Sequence, residues 1–202
     1  MDYSLFDDLH FKEVFVGLGI DELINAIKKK EDYLVALFEG SDGHVVWITD
    51  DEEKKHSIFV TDTNGVNKDK LLQINNPKRK SLFLWHIDGV MFDRYSKCDC
   101  ALLHERLMHM IEFKANAKNE TDDSIQANYE KATKQITLTF KAFKELYAKK
   151  GFDLWDIFED IDAMIVFNKT VPQDLAYQKS LQKKVAKDID VLLTFGNEID
   201  LE

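Results

Sequence analysis

The sequence predicts an α/β fold in which a mixed central sheet is flanked by helices. Three observations carry this. Short apolar runs bounded by turn residues recur along the chain, as strands do. One stretch over 122–150 repeats its apolar residues every three or four positions, as an amphipathic helix does. The order runs strands, helix, strand, helix, strand. A chain of 202 residues, 45% hydrophobic and 11% aromatic, can bury a full core, roughly 70% of its unfolded surface. Two prolines and eight glycines leave little room for linkers. The expected organisation is a helix and β-hairpin extension over 1–75 packed on a core over 76–202, one compact domain together.

Taken in order, Asp21 is an N-cap for a short helix with Leu23, Ile24, Ala26 and Ile27 on its buried side, closed by Lys28, Lys29 and Lys30. Two apolar runs, YLVALFEG and HVVWIT, flank Ser41-Asp42-Gly43 and read as a β-hairpin. After the polar run DDEEKK, SIFVTD is a further strand. Asn64-Gly65 marks a turn, and Leu71, Leu72 and Ile74 suggest a brief helix before Asn75-Asn76-Pro77. SLFLWHID has the continuous apolarity of a strand buried on both faces. KCDCALL and LMHMIEFK form a hairpin around His104-Glu105-Arg106. A long helix follows from an N-cap at Thr121 or Asp122 to about Lys150, with Ile125, Tyr129, Ala132, Ile136, Phe140, Phe143 and Tyr147 as its stripe and Gly151 as its stop. DAMIVFNK is a strand, 173–188 a helix, and VLLTF a last strand.

The opening MDYSLFDDLHFKEV lacks a basic segment followed by an apolar run, and nothing approaches 18 uninterrupted apolar residues, so neither a secretory signal nor a membrane span is expected. Cys98 and Cys100, two apart in one strand, would point to the same face. That is poor geometry for a mutual disulfide, and they read as small buried hydrophobes in a reducing cytoplasm. The net charge of −10 argues against a general attraction to nucleic acid, without excluding a locally basic groove. Lys131, Lys134, Lys141 and Lys144 give the long helix a basic side, for which a solvated face is the plainer reading and a nucleic-acid backbone the sharper one.

Chemistry concentrates in the hairpin. Side chains alternate along a strand, so Met108, Met110, Glu112 and Lys114 share one face while Ile111 and Phe113 take the other. On the partner strand Asp99, Ala101 and Leu103 share a face. If the two faces coincide, two carboxylates and an ammonium occupy one patch. Charges at the end of an apolar strand are costly unless paired or metal-bound. Two carboxylates suit Mg²⁺ or Mn²⁺, an ion that can polarise a phosphodiester and acidify a water. Lys114 would orient that water or neutralise charge at phosphorus. Taken alone, an aspartate with a downstream Glu-x-Lys is more often a structural ion pair. His104 and His109, five apart with one in a turn, are not a helical zinc pair, and His109 reads as a packed strand histidine.

The run IDGVMFDRYSKCDCALLHERLMHMIEFKANA resembles the PD-(D/E)xK nuclease superfamily, in particular small bacterial members built on a Lys-Cys-Asp strand and an Ile-Glu-(Phe/Leu)-Lys strand. The likeness continues through Ala132-Thr133-Lys134-Gln135-Ile136-Thr137-Leu138-Thr139, where the family carries Ala-x-x-Gln-Leu-x-x-Thr on a helix. It spans about 81–201 and is specific over 97–139. The resemblance implies a restriction-endonuclease-like fold and a metal-dependent nuclease. Asp99 and Glu112 would be ligands of Mg²⁺ or Mn²⁺, Lys114 the catalytic lysine and Gln135 an assisting contact. It further implies nucleic acid as partner, DNA ahead of RNA, with a homodimer as the candidate assembly and no membrane. The proline often preceding the family's aspartate is replaced by Cys98. An extra acidic ligand is open among Asp88, Glu13, Glu22 and Glu31, Asp88 reading more simply as a turn residue. The competing expectation is a catalytically inactive module of the same fold that binds a protein or oligomerises.

Overall fold

A computed structural model describes residues 10, 14, 44–60, 62–88, 97–115, 121–171 and 174–202, and the backbone of 35–38. The predicted helix after Asp21 and the acids Glu13, Glu22 and Glu31 lie outside the described residues. Among those described, two mixed sheets and three α-helices form an α/β fold. The strands are β1 (Val35–Phe38), β2 (Val45–Asp51), β3 (His56–Val60), β4 (Leu72–Asn75), β5 (Leu82–His86), β6 (Cys100–His104), β7 (Leu107–Phe113), β8 (Asp160–Val166), β9 (Leu192–Phe195) and β10 (Glu198–Asp200). The helices are α1 (Asp122–Lys149), the single turn α2 (Leu154–Ile157) and α3 (Leu175–Ile189). The first sheet has the order β1-β5-β6-β7-β8-β9, and the second β10-β4-β2-β3.

The alternating side chains of the first sheet divide its neighbours. From β6, β7 and β8, Ala101, Leu103, Met108, Met110, Ile161, Ala163 and Ile165 enter the core under α1 and α3. Cys100, Leu102, Ile111, Phe113, Met164 and Val166 enter a second core shared with Val46, Ile48, Leu72 and Ile74 of the other sheet. The result is three layers: helices, sheet, sheet. Both faces of the central strands are dry, which explains the unbroken apolarity of β5, all of whose residues are buried.

The long helix follows its sequence. Thr121 caps it, accepting from the Ser124 amide while the Ser124 hydroxyl answers the Thr121 amide. Every member of its predicted apolar stripe is buried. Gly151, at φ +85°, closes it in the left-handed region that glycine enters without strain.

Two elements differ from expectation. Val35–Phe38, from the run expected to pair with β2, is β1 and lies antiparallel to β5 in the first sheet, and the local hairpin is β2–β3. Leu72 and Ile74 belong to a strand, their alternating burial matching a period of two rather than a helix turn. A further strand, β10, runs parallel to β4, so the second sheet joins residues 45–75 to residues 198–200.

Candidate active site

The centre of the site is the β6–β7 hairpin, held in register from Cys100 opposite Ile111 to His104 opposite Leu107. Asp99 stands one residue before β6. Its Oδ2 accepts the Phe113 amide at 2.6 Å, and its own carbonyl accepts the Ile87 amide at 3.1 Å, tying it to the end of β5. Glu112 is fully buried on β7. Lys114, just past β7, anchors its backbone to the Val166 carbonyl at 2.7 Å. Its Nζ pairs with Glu112 Oε1 and reaches Gln135 Oε1 at 3.2 Å. Gln135 comes from the buried side of α1 and donates to the Lys97 carbonyl at 2.6 Å. Thr139, one turn further on, accepts the Cys98 amide at 2.9 Å. The helix therefore holds both polar groups of the Lys97–Cys98 peptide, immediately before Asp99. All four residues expected from the sequence meet: Asp99, Glu112, Lys114 and Gln135.

The electrostatics are those of carboxylates crowded out of water. Burial pushes Glu112 well above the usual range, reinforced by Asp99 and opposed by Lys114. Asp99 is raised to about 7, mainly by burial and then by Asp50, while the Phe113 amide and Lys114 pull it down. Cys98 is likewise raised, by burial first and Glu112 second. The two cysteines are free and do not share a face: Cys98 precedes the strand and lies in the helix-side core, while Cys100 lies in the inter-sheet core.

Acids from elsewhere surround this centre. Asp50, at the end of β2, and Asp88, just past β5, line with Asp99 a cavity of about 270 Å³ whose other walls include Glu52, Lys55 and His56 of the β2–β3 turn. Burial raises Asp50 above its ordinary value, with Asp88 the next cause. Asp88 was visible in the sequence as a rival acid. Asp50 was not, because it opens the polar run DDEEKK, whose composition signals a turn and nothing more.

The donor set fits a hard divalent cation. Glu112 Oε1 is taken by Lys114, but Oε2 is buried without a hydrogen-bond partner, and an orphaned carboxylate oxygen in a core is costly unless a cation meets it. Among the described residues no three histidine, cysteine, aspartate or glutamate side chains are already gathered to enclose an ion.

The histidines set aside in the sequence do meet, at the opposite end of the hairpin. His104 Nε2 lies 3.1 Å from His109 Nε2, and His109 Nδ1 lies 2.8 Å from Asp162 Oδ1. Burial, His109 and Lys80 lower His104 to about 4. The two contacts form one row, His104 to His109 to Asp162, while His104 Nδ1 is buried without a hydrogen-bond partner. Sequence spacing missed this because the contact is made across strands. Lys131, Lys134, Lys141 and Lys144 of α1 are all exposed. Among the described residues no helix is long and apolar enough to cross a membrane. Compared with protein-family models, curated proteins and solved structures, the chain matches none.

Proposed function

We propose that this chain is a restriction-endonuclease-like nuclease of the PD-(D/E)xK kind, hydrolysing nucleic-acid phosphodiesters with Mg²⁺ or Mn²⁺. DNA is favoured over RNA, and a homodimer is the candidate assembly. The observation that carries the reading is the convergence of Asp99, Glu112, Lys114 and Gln135 from a hairpin and the helix behind it, with Glu112 Oε2 left unpartnered in the core. A merely structural pair would have Lys114 and Glu112 bonded to each other alone. Here Lys114 also holds Gln135, and Gln135 is itself fixed by the Lys97 carbonyl.

Asp99 and Glu112 would hold the cation. When bound, it supplies Lewis-acid polarisation of the phosphate and a more acidic water. The chain's own residues do the rest. Glu112 and Gln135 hold the Lys114 ammonium in one orientation, so its N–H groups are aimed before substrate arrives. An ammonium in a water-poor setting neutralises negative charge on the scissile phosphate more effectively than it would in bulk solvent. Asp99, anchored by the Phe113 amide through one oxygen, keeps the other for the cation.

The test is cleavage of single- and double-stranded DNA and RNA with Mn²⁺ or Mg²⁺. Wild type is expected to cut, and Lys114→Ala and Glu112→Ala each to lower the rate about 10²- to 10⁴-fold. The second reading, an inactive module of the same fold that binds a protein, is favoured by the net charge of −10. Failure to cut any of the substrates, together with failure to bind either metal, would select it.

A further inference from the structure

The turn end of the β6–β7 hairpin, opposite the end that carries Asp99 and Glu112, gathers nitrogen donors. Strand alternation gives His104 the face of Leu102, His109 that of Ile111 and Asp162 that of Met164, the face turned to the second sheet. His109 pairs with Asp162 on β8 and with Leu102 on β6, so His104 lies diagonally beside it. The two Nε2 atoms are 3.1 Å apart while the ring centres are 5.2 Å apart, so the nitrogens are the edges that meet. The His104 side chain is sealed, at 2% exposure. His109 at 12% and Asp162 at 28% open the row to solvent.

The protons of this row do not balance while both rings are neutral. An ionised Asp162 takes the Nδ1–H of His109 at 2.8 Å, which leaves His109 Nε2 with its lone pair. If His104 answers with Nε2–H, its Nδ1 is an acceptor buried without a hydrogen-bond partner. If the proton sits on Nδ1 instead, it lies toward Glu105 Oε2 at 3.9 Å, an oxygen that Lys80 Nζ holds at 3.0 Å. Two lone pairs then face each other across the Nε2 gap, and only a cation between them removes the repulsion. A proton is a poor candidate for that place, because burial, His109 and Lys80 lower His104 to about 4.

We propose that His104 and His109 bind a zinc-class ion through their facing Nε2 atoms, with Asp162 as the positioning residue that holds the His109 ring. Zinc–nitrogen bonds of about 2.0–2.1 Å around a tetrahedral centre place two imidazole nitrogens roughly 3.3 Å apart. The gap of 3.1 Å is within a few tenths of an ångström of that. A metal-bound histidine commonly gives its other N–H to a carboxylate, which fixes its tautomer and makes the ring a better donor. Asp162 stands in that relation to His109. Two protein ligands leave the other positions of the ion to water, on the side that His109 and Asp162 open. The site is independent of the nuclease reading, since none of its residues belongs to the Asp99 centre.

The experiment is Zn²⁺ titration of the full chain by calorimetry, in excess Mg²⁺, which carboxylates take and imidazoles do not. The same titration is followed by the ring-nitrogen shifts of ¹⁵N-labelled histidine. In wild type, Zn²⁺ is expected to move the Nε2 signals of His104 and His109, a readout that needs no variant to fold. Asp162→Asn should weaken binding about 10- to 100-fold, and His109→Gln should abolish it. His44→Gln, at an exposed ring outside the row, should bind as wild type does. Absence of Zn²⁺ binding, binding that leaves the two Nε2 signals in place, or undiminished affinity in Asp162→Asn or His109→Gln would overturn the site. So would an equal loss in His44→Gln.

Discussion

Asp99 joins stability to the proposed chemistry. Its carboxyl is raised from 3.8 to about 7, burial first and Asp50 second. The folded chain thus keeps a proton over a range in which the unfolded chain has lost it. Stability therefore falls as pH rises from about 4 to about 7, and the whole penalty is present above about 7. Asp99→Asn is expected to unfold at higher denaturant than wild type at about pH 8, by roughly 1–2 kcal/mol, with no advantage below about pH 4. That figure is well under the full shift because the carboxylate borders a cavity open to water. Added Mn²⁺ should raise the melting temperature of wild type and leave the variant unmoved, because only a site that binds the folded state stabilises it. Melting curves at both pH values, with and without metal, check the sign of each effect.

At the level of elements, the decisive contact is between α1 and the segment entering β6. Thr139 accepts the Cys98 amide and donates to the Gln135 carbonyl, both at 2.9 Å. Thr139→Val keeps the volume but leaves a buried amide without an acceptor. The expected cost is about 1–3 kcal/mol in urea unfolding, with loss of order at Asp99 visible as faster amide exchange at Cys98. This helix was almost fully legible in the sequence, since its cap, stripe and glycine stop are all local signals. So was the β6–β7 hairpin, whose short polar turn and alternating faces bring Glu112 and Lys114 to the helix side. Pairing between distant strands was not legible. Nothing within 33–40 says that β1 joins β5 rather than β2, because periodicity specifies a face and not a neighbour. The same blindness hid Asp50, which lines one cavity with Asp88 and Asp99, both remote from it in sequence. The cross-strand meeting of His104 and His109 was hidden for the same reason.

Across the whole molecule, a polar seam joins the two sheets beside their shared core. Asn197 donates to the carbonyls of Phe167 at 2.7 Å and Leu71 at 3.2 Å, joining the exit of β8 to the entrance of β4. Beyond it, Ile199 and Leu201 are buried in the inter-sheet core. Removing residues 197–202 strips β4 of its parallel partner and takes two buried apolar side chains, Ile199 and Leu201, out of the inter-sheet core. The expected loss is about 3–6 kcal/mol from burial alone, read as a lowered urea midpoint and as new protease cleavage within 45–75.

That seam also has a consequence in time. Asn75 and Asp200, hydrogen-bonded across it, are 125 positions apart. At about 5–20 residues per second, a ribosome needs on the order of ten seconds to pass from one to the other. Throughout that interval the nascent chain already carries Asp50, and soon Asp99, Glu112 and Lys114, but lacks the strand that completes the second sheet. The edge of β4 waits unpaired on the polysome, and the second sheet is complete only when translation has passed residue 200.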